Sequence, residues 1–584
     1  MKSRLVRLFL CQIENMEIKK AKRNFVSDAL VITEWSVLQP YFKDLIDRPI
    51  NNVLDLKQWL SDRSELDAII EEDEAWRYIR MTIDTANEAY QEHYRVFVSD
   101  IQPEIAPLDH QLNEKLVRSP YLDELKQDSA YAIYFRSIVT AIELFREENV
   151  ALDSFINEKS QEFGKLSGAQ SIEMDGNTLT MQQASQYLKD PNEQIRKSVF
   201  EKMSSRRLQD RGAFDELYTV LIQKRHEVAK NAGFDNYSDY KFKALGRFDY
   251  TKADCIQFHE TIKTVVVPVV REIQQRKLNL LGKDLFKPWD HEVDPEGKLP
   301  LAPFKNGEEL LNGTIHMLNE LDPYFADCLQ TMQQMGYLDL DSKPGKAPGG
   351  YNYPLYEIGI PFIFMNAVGA QRDVVTMVHE SGHAVHSFLA RDLALTGFKN
   401  LPSEVAELAS MSMELLTMDL WSSFYANEHD LKRAKREQFE SIITILPWIA
   451  QIDEFQHWVY EFPNHSVQER TDKWLALSAE YGSGLTDWSG YEEVRAASWQ
   501  KQMHLFEVPF YYIEYGIAQL GALGIWKNSI HNSTEAIAAY KNALKLGYTV
   551  SIPEIYATAG VKFDFSEKYI SSLINEVQSI LSNY

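Results

Sequence analysis

Along most of the chain apolar residues recur at helical spacing, and alternation of the kind that marks strands is rare. From about Asn24 to Leu340 charged and apolar positions follow a period of about 3.6 residues, as between Ser137 and Phe163. Asp190-Pro191 predicts a helix start and Gly233 a helix end, with Tyr237 and Tyr240 in a short connector after it. Lys283 to Lys305 is rich in Pro, Gly and charge, which predicts a long loop connecting two lobes.

The pattern changes after residue 340. Lys343 to Gly350 is a Pro- and Gly-rich loop without phosphate-binding spacing. Tyr351 to Tyr356 and Pro361 to Val368 are short, aromatic and apolar, and predict strands of a small sheet. An exposed edge on the second of them would hold an extended peptide by main-chain hydrogen bonds. A helix follows, with Asp373 as its expected N-cap and Val374, Met377, Val378, Val385, Phe388 and Leu389 among its apolar positions. Gly382 inside it costs about 1 kcal/mol relative to Ala, which implies that a substrate or a packed neighbour comes close there. Ser403 is placed as the cap of the next helix, Ser533 or Thr534 of one ending at Gly547, and Ser551-Ile552-Pro553-Glu554 opens another. The fold class is mainly α with a small β-sheet. The expected division is an N-terminal helical region, 1–180, a helical lobe, 181–340, and a region 341–584 carrying the sheet.

With 584 residues the chain exceeds what one core usually serves. A net charge of -24, from 61 basic and 85 acidic residues, predicts no nucleic-acid partner and no anionic membrane partner, since both need a cationic footprint. Cys11, Cys255 and Cys328 are odd in number, widely spaced and not in C-x-x-C pairs, arguing against both a disulfide framework and a cysteine zinc site, and for a reducing compartment. Neither the run Leu8-Phe9-Leu10-Cys11 nor Ile442 to Ile452 has the length of a signal or a membrane span, so a soluble, cytoplasmic protein is expected.

The chemistry concentrates at His379-Glu380-Ser381-Gly382-His383. On a helix, residues four apart share a face, so His379 and His383 present two imidazoles to one ion, and Glu380, about 100° around, reaches an attacking water without ligating. A catalytic zinc needs a third protein ligand. The longer pattern H-E-x-x-H-x-x-G-x-x-H fails because position 386 is His and position 389 Leu. His386 is expected to pack or to support a ligand. Spacing alone leaves Glu404, Glu407 and Glu414 competing for the third position.

The string His379 to His386, followed by Glu404, Glu407 and Glu414, resembles the thimet oligopeptidase and oligoendopeptidase F family of zinc peptidases, in its oligoendopeptidase F-like branch. The resemblance extends from about Asp190 to the C-terminus. It implies a large two-lobed helical metallopeptidase, with the sheet beside the active-site helix, a deep substrate channel and 341–584 as the zinc catalytic region. It also implies one Zn2+ per chain on His379, His383 and Glu407, with Glu404 orienting a histidine. Pro361 to Asn366 is similar to the family's substrate-side strand. His504 to Tyr515 is similar to its His-plus-tyrosines segment, giving His504, Tyr512 and Tyr515 catalytic roles; Val508-Pro509 stands where some relatives place another tyrosine. Independently, Tyr512 and Tyr515 are i, i+3 neighbours on one helical face.

The function expected is zinc-dependent hydrolysis of internal bonds in short unfolded peptides. Two alternatives are a non-catalytic peptide-binding protein with a structural zinc, and a zinc carboxypeptidase or dipeptidase using Lys346 or Arg372 to hold a terminal carboxylate. A serine hydrolase is excluded, since Tyr481-Gly482-Ser483-Gly484-Leu485 lacks the nucleophile-elbow spacing.

Overall fold

The helical periodicity resolves into helices packed around two large apolar cores, with two small clusters beside them among the described residues. The computed structural model describes residue 18 and residues 20–582, so Cys11 and the run Leu8 to Cys11 lie outside the described residues. The smaller core gathers Phe42, Trp59, Leu66, Phe97, Leu116 and Phe135, and is closed by Leu395 and Phe398 from far along the chain. The larger runs from Ala75 to Leu581. Helix α1, Val53–Ile83, joins them, its first half burying Leu56 and Trp59 in the smaller core and its second half burying Ala75 and Ile79 in the larger. Among the described residues no helix is long and apolar enough to cross a membrane.

Strands β1, Ser171–Met174, and β2, Asn177–Thr180, form an antiparallel hairpin absent from the sequence reading. Asp175 and Gly176 both adopt positive φ, the two-residue turn whose twist matches the strands. Several helix starts are shifted by a few residues from expectation. The helix Glu193–Gln209 is capped by Asn192, which accepts from the Gln194 amide, rather than by Asp190. After α2, Arg211–Asn231, the residues Tyr237 and Tyr240 lie not in a connector but in α3, Tyr237–Ala244, because the Asn236 side chain caps the Asp239 amide. Helix α4, Lys252–Thr261, follows.

The sheet beside the site has three strands in the order β3, Leu338–Asp341, then β5, Ile360–Ala367, then β4, Tyr351–Leu355. β5 pairs parallel with β3 and antiparallel with β4. Both its edges are occupied, so the free edge expected there belongs to β4 instead. The continuous apolar run of β5 fits this central place, since helices cover both faces.

Helix α5, Gln371–Ala390, then lies on the sheet and against α6, Ser403–Thr417. The long α7, Glu428–Glu461, the short α8, Met503–Glu507, and α9, Tyr512–His531, complete the surroundings of the site. Ser403 is the first residue of α6 rather than its cap, and the later helix Ser533–Leu544 is capped by Asn532, whose side chain accepts from the Glu535 amide. The stretch 283–305 is a loop, anchored where Asp290 meets Arg196 and Lys283.

Candidate active site

Asp373 starts α5 differently from expectation. It sits three residues inside the cap position, and its Oδ2 accepts from the Val368 and Ala370 amides at 2.8 and 2.9 Å, satisfying donors that open the helix. Val374, Met377, Val378, Ala384 and Val385 are fully buried, at about 1.5–3 kcal/mol for each large side chain. That apolar stripe fixes the rotation of α5 and turns His379 and His383 toward α6. Gly382 is the point of closest approach: a Cβ there would stand 2.6 Å from Ser410 Cα and 2.7 Å from the Ala409 carbonyl oxygen. The small residue makes room for a packed neighbour.

This approach brings Glu407 between the two histidines. Its Oε2 lies 3.3 Å from His379 Nε2 and 3.8 Å from His383 Nε2, and one donor atom from each of the three residues lies within 4.8 Å of the others. These separations exceed a good N–H···O bond. They match the edges of a tetrahedron of ligands around zinc, about 3.4 Å for bonds near 2.1 Å. Burial would raise the Glu407 carboxyl, but the neighbouring His379 and His383 hold it down to about 2. Burial disfavours charged His379, yet Glu407 and Glu414 hold it well above the usual imidazole range. His383 is pushed down to about 4 by burial, partly opposed by Glu407. An anion flanked by two imidazoles draws one positive charge inward.

Glu414, not Glu404, orients a histidine: its Oε1 is 2.7 Å from His379 Nδ1, and Gln438 Nε2 donates to its Oε2 at 2.9 Å. Glu404 faces away and accepts from the Tyr250 hydroxyl at 2.5 Å. His386 is buried farther along α5 and lines the cleft without joining the three-residue cluster. Glu380 is 6% exposed, and burial pushes its carboxyl up to about 7, with His379 opposing and Glu407 and Glu414 assisting.

The cleft over these groups has a volume of about 470 Å³. Gly350, Tyr351, Asn352 and Pro354 to Tyr356 form its sheet-side wall, and the Asn352 side-chain amide donates to the Glu380 carbonyl at 3.2 Å, tying β4 to α5. Tyr511 and Tyr515 form the opposite wall. Tyr511, which the sequence reading missed, donates to Glu407 Oε1 at 3.2 Å. Its i, i+4 relation to Tyr515 is as good a signal as the i, i+3 relation of Tyr512 and Tyr515. Tyr512 packs on His504, ring centroids 4.8 Å apart, and does not line the cleft. His504 sits behind the tyrosines, its Nδ1 2.6 Å from the Gln502 amide, and burial pushes it down to about 4 with Glu407 opposing. The preceding Phe510 has φ of +68°, and this strained residue turns the chain into α9 so that Tyr511 faces Glu407.

Of the expected carboxylate-binding cations, Lys346 is spent: its side chain is fully buried and bonds to Asp339, to the Asp341 carbonyl at 2.9 Å and to the Met365 carbonyl. Arg372 lines a different cleft.

The model of peptidase family M3 matches residues 186–574, and that of the peptidase M3 N-terminal domain matches residues 29–145. The chain is 22% identical over 388 residues to an oligoendopeptidase F homologue from Borreliella burgdorferi, covering 64% of this chain and 63% of the relative. It is 23% identical over 262 residues to the chromosomal oligoendopeptidase F of Lactococcus lactis subsp. cremoris, covering 42% of each. The chain therefore spans less than two thirds of the length of these curated relatives. Among solved structures, PZ peptidase A with inhibitor 2 superposes with a TM-score of 0.88 at 25% identity, covering 97% of this chain and 99% of that one.

Proposed function

The chain belongs to peptidase family M3, and from that premise we propose that it is a zinc-dependent oligoendopeptidase cutting internal bonds of short unfolded peptides. The observation that carries the reading is the convergence of His379, His383 and Glu407 beside Glu380 on the floor of one cleft.

His379, His383 and Glu407 would hold the zinc, with Glu414 fixing the His379 ring and Ser410 and Tyr511 bonding the Glu407 carboxylate. When bound, the ion supplies Lewis acidity toward the scissile carbonyl and the attacking water. Glu380, poised near neutrality, takes a proton from that water and returns it to the leaving amine. Tyr515 offers a hydroxyl donor from the opposite wall toward the developing oxyanion, one such donor being worth about 3 kcal/mol. Tyr512 and His504 pack behind it and hold it in place.

The edge strand β4 supplies main-chain groups along the cleft wall, so a substrate binds as an added strand largely regardless of its side chains. Folded proteins do not present such an extended segment. The structural-zinc reading is disfavoured because His379 and His383 are 20% and 19% exposed to the cleft, whereas structural sites are closed. The carboxypeptidase reading loses Lys346 to internal partners.

The test compares wild type with Glu380→Ala on a short internally quenched peptide blocked at both ends, with metal quantified on each. Cleavage by wild type, and an inactive variant that keeps its metal, supports the proposal. Metal retention with no cleavage by wild type overturns it.

A further inference from the structure

Beneath the tyrosine wall, α4 and α7 bring together a second set of ligand-type side chains. Cys255 lies on α4, while Asp453 and His457 lie one turn apart on α7. One donor atom from each lies within 4.8 Å of the others, and all three residues are buried. The outer contacts of the set are already arranged. His259, one turn after Cys255, places Nε2 2.8 Å from Asp453 Oδ2, and the Ser238 hydroxyl lies 3.2 Å from His457 Nδ1.

Those contacts leave Asp453 Oδ1, in a residue 0% exposed, without a hydrogen-bond partner among the described residues, while His457 Nε2 has only Asp453 Oδ2, at 3.4 Å. A carboxylate oxygen left bare inside a protein is rarely tolerated and calls for an explanation, and at 3.4 Å the imidazole nitrogen lies beyond a good hydrogen bond. The two atoms belong to side chains that converge with the Cys255 sulfur, and a single cation would satisfy all three.

We propose that Cys255, Asp453 and His457 form a buried metal site, distinct from the one on α5 and α6. Thiolate, imidazole and carboxylate together suit zinc, and the support from His259 and Ser238 is of the kind that orients ligands in such sites. Burial denies substrate access, so the site is structural and clamps α4 to α7. The clamp has a consequence for the catalytic wall, because Gln456, between the two α7 ligands, accepts from the Phe510 amide at 2.7 Å where the chain turns into Tyr511. The site does not depend on the function proposed for the first one, which contains no sulfur ligand.

The experiment is made on the full chain produced in zinc-depleted, cobalt-supplemented medium. Wild type is expected to show a thiolate-to-cobalt charge-transfer band in the near ultraviolet. The band persists in His383→Ala/Glu407→Ala, which lacks the first site, and in Cys328→Ser, and it disappears in Cys255→Ser together with one metal equivalent per chain. Absence of the band from cobalt-loaded wild type overturns the site without recourse to any variant. So does a band that survives Cys255→Ser. A metal-free ion pair between His259 and Asp453 is the reading that then stands.

Discussion

His379 Nδ1 lies 2.7 Å from Glu414 Oε1, a contact that fixes the ring and turns Nε2 toward Glu407. Removing the carboxylate frees the ring and lowers its basicity, and partners of this kind typically contribute about 10–100-fold in metal affinity. Glu414→Ala is therefore expected to weaken zinc binding by that factor in a titration against a competing chelator. Glu404→Gln, changed where the side chain meets Tyr250, is expected to leave zinc affinity within a few-fold of wild type.

Gly382→Ala sets two effects of opposite sign against each other. Alanine in a helix interior gains about 1 kcal/mol over glycine. The new methyl meets main-chain atoms of α6 at 2.6 and 2.7 Å, and these move only if the two helices part. Overpacking of this kind costs about 1–3 kcal/mol, so the clash wins. Parting α5 from α6 also draws Glu407 away from the histidines. The variant is expected to unfold at lower urea concentration and to be purified with less metal, both read on one preparation.

What the sequence disclosed follows from how local each signal is. His379, Glu380 and His383 are legible because one helix carries all three, so spacing is geometry. Glu407 was not separable from Glu404 and Glu414 by spacing, because the choice depends on how α6 rotates against α5. That rotation is set by the contact at Gly382, which no periodicity encodes. The exchange of roles between Glu404 and Glu414 has the same origin. Tyr511 was missed because a strained Phe510, held by Gln456 and Arg247, sets the direction in which the tyrosines enter α9. The hairpin at Asp175-Gly176 was legible, since that dipeptide is the strongest short-range hairpin signal, and it was overlooked amid a helical pattern. Strand order was beyond reach, because β5 inserts between β3 and β4 and pairs parallel with β3, past the intervening β4 in the chain.

Asp290 holds the long loop and makes it sensitive to acid. Its carboxylate, 0% exposed, bonds to Lys283 at 2.7 Å, to Arg196 at 2.8 Å and to the Lys287 amide at 2.9 Å. Burial alone would raise its pKa, but Lys283, Arg196 and the amide together hold it below the ordinary carboxylate range. A depressed folded-state pKa contributes stability that is complete above the unfolded value and is lost as pH falls through the folded one. Wild-type stability is thus expected to fall below pH about 4, through this group among others. Asp290→Ala leaves Arg196, 3% exposed, without its carboxylate, a loss of about 3–5 kcal/mol near neutral pH. Urea denaturation at a series of pH values is expected to show the variant and wild type converging as acid removes what the substitution already took.

The three tyrosines of α9 and its approach are expected to separate by position. Tyr515 and Tyr511 face the cleft, whereas Tyr512 packs behind on His504. A hydroxyl aimed at a developing oxyanion is worth about 3 kcal/mol, or roughly a hundred- to thousandfold in kcat. Tyr515→Phe is expected to lose activity on that scale with metal content and KM little changed. Tyr511→Phe removes the hydroxyl that bonds Glu407 and is expected to lower zinc affinity, which distinguishes it from Tyr515→Phe. Tyr512→Phe keeps the ring that packs on His504 and is expected to stay within a few-fold of wild type. Steady-state kinetics on one quenched peptide, with zinc titrated in parallel, ranks all three. Should Tyr512→Phe prove the most damaging, the side chains must rearrange when peptide binds, and Phe510, already in a strained conformation, is the residue about which α9 would turn.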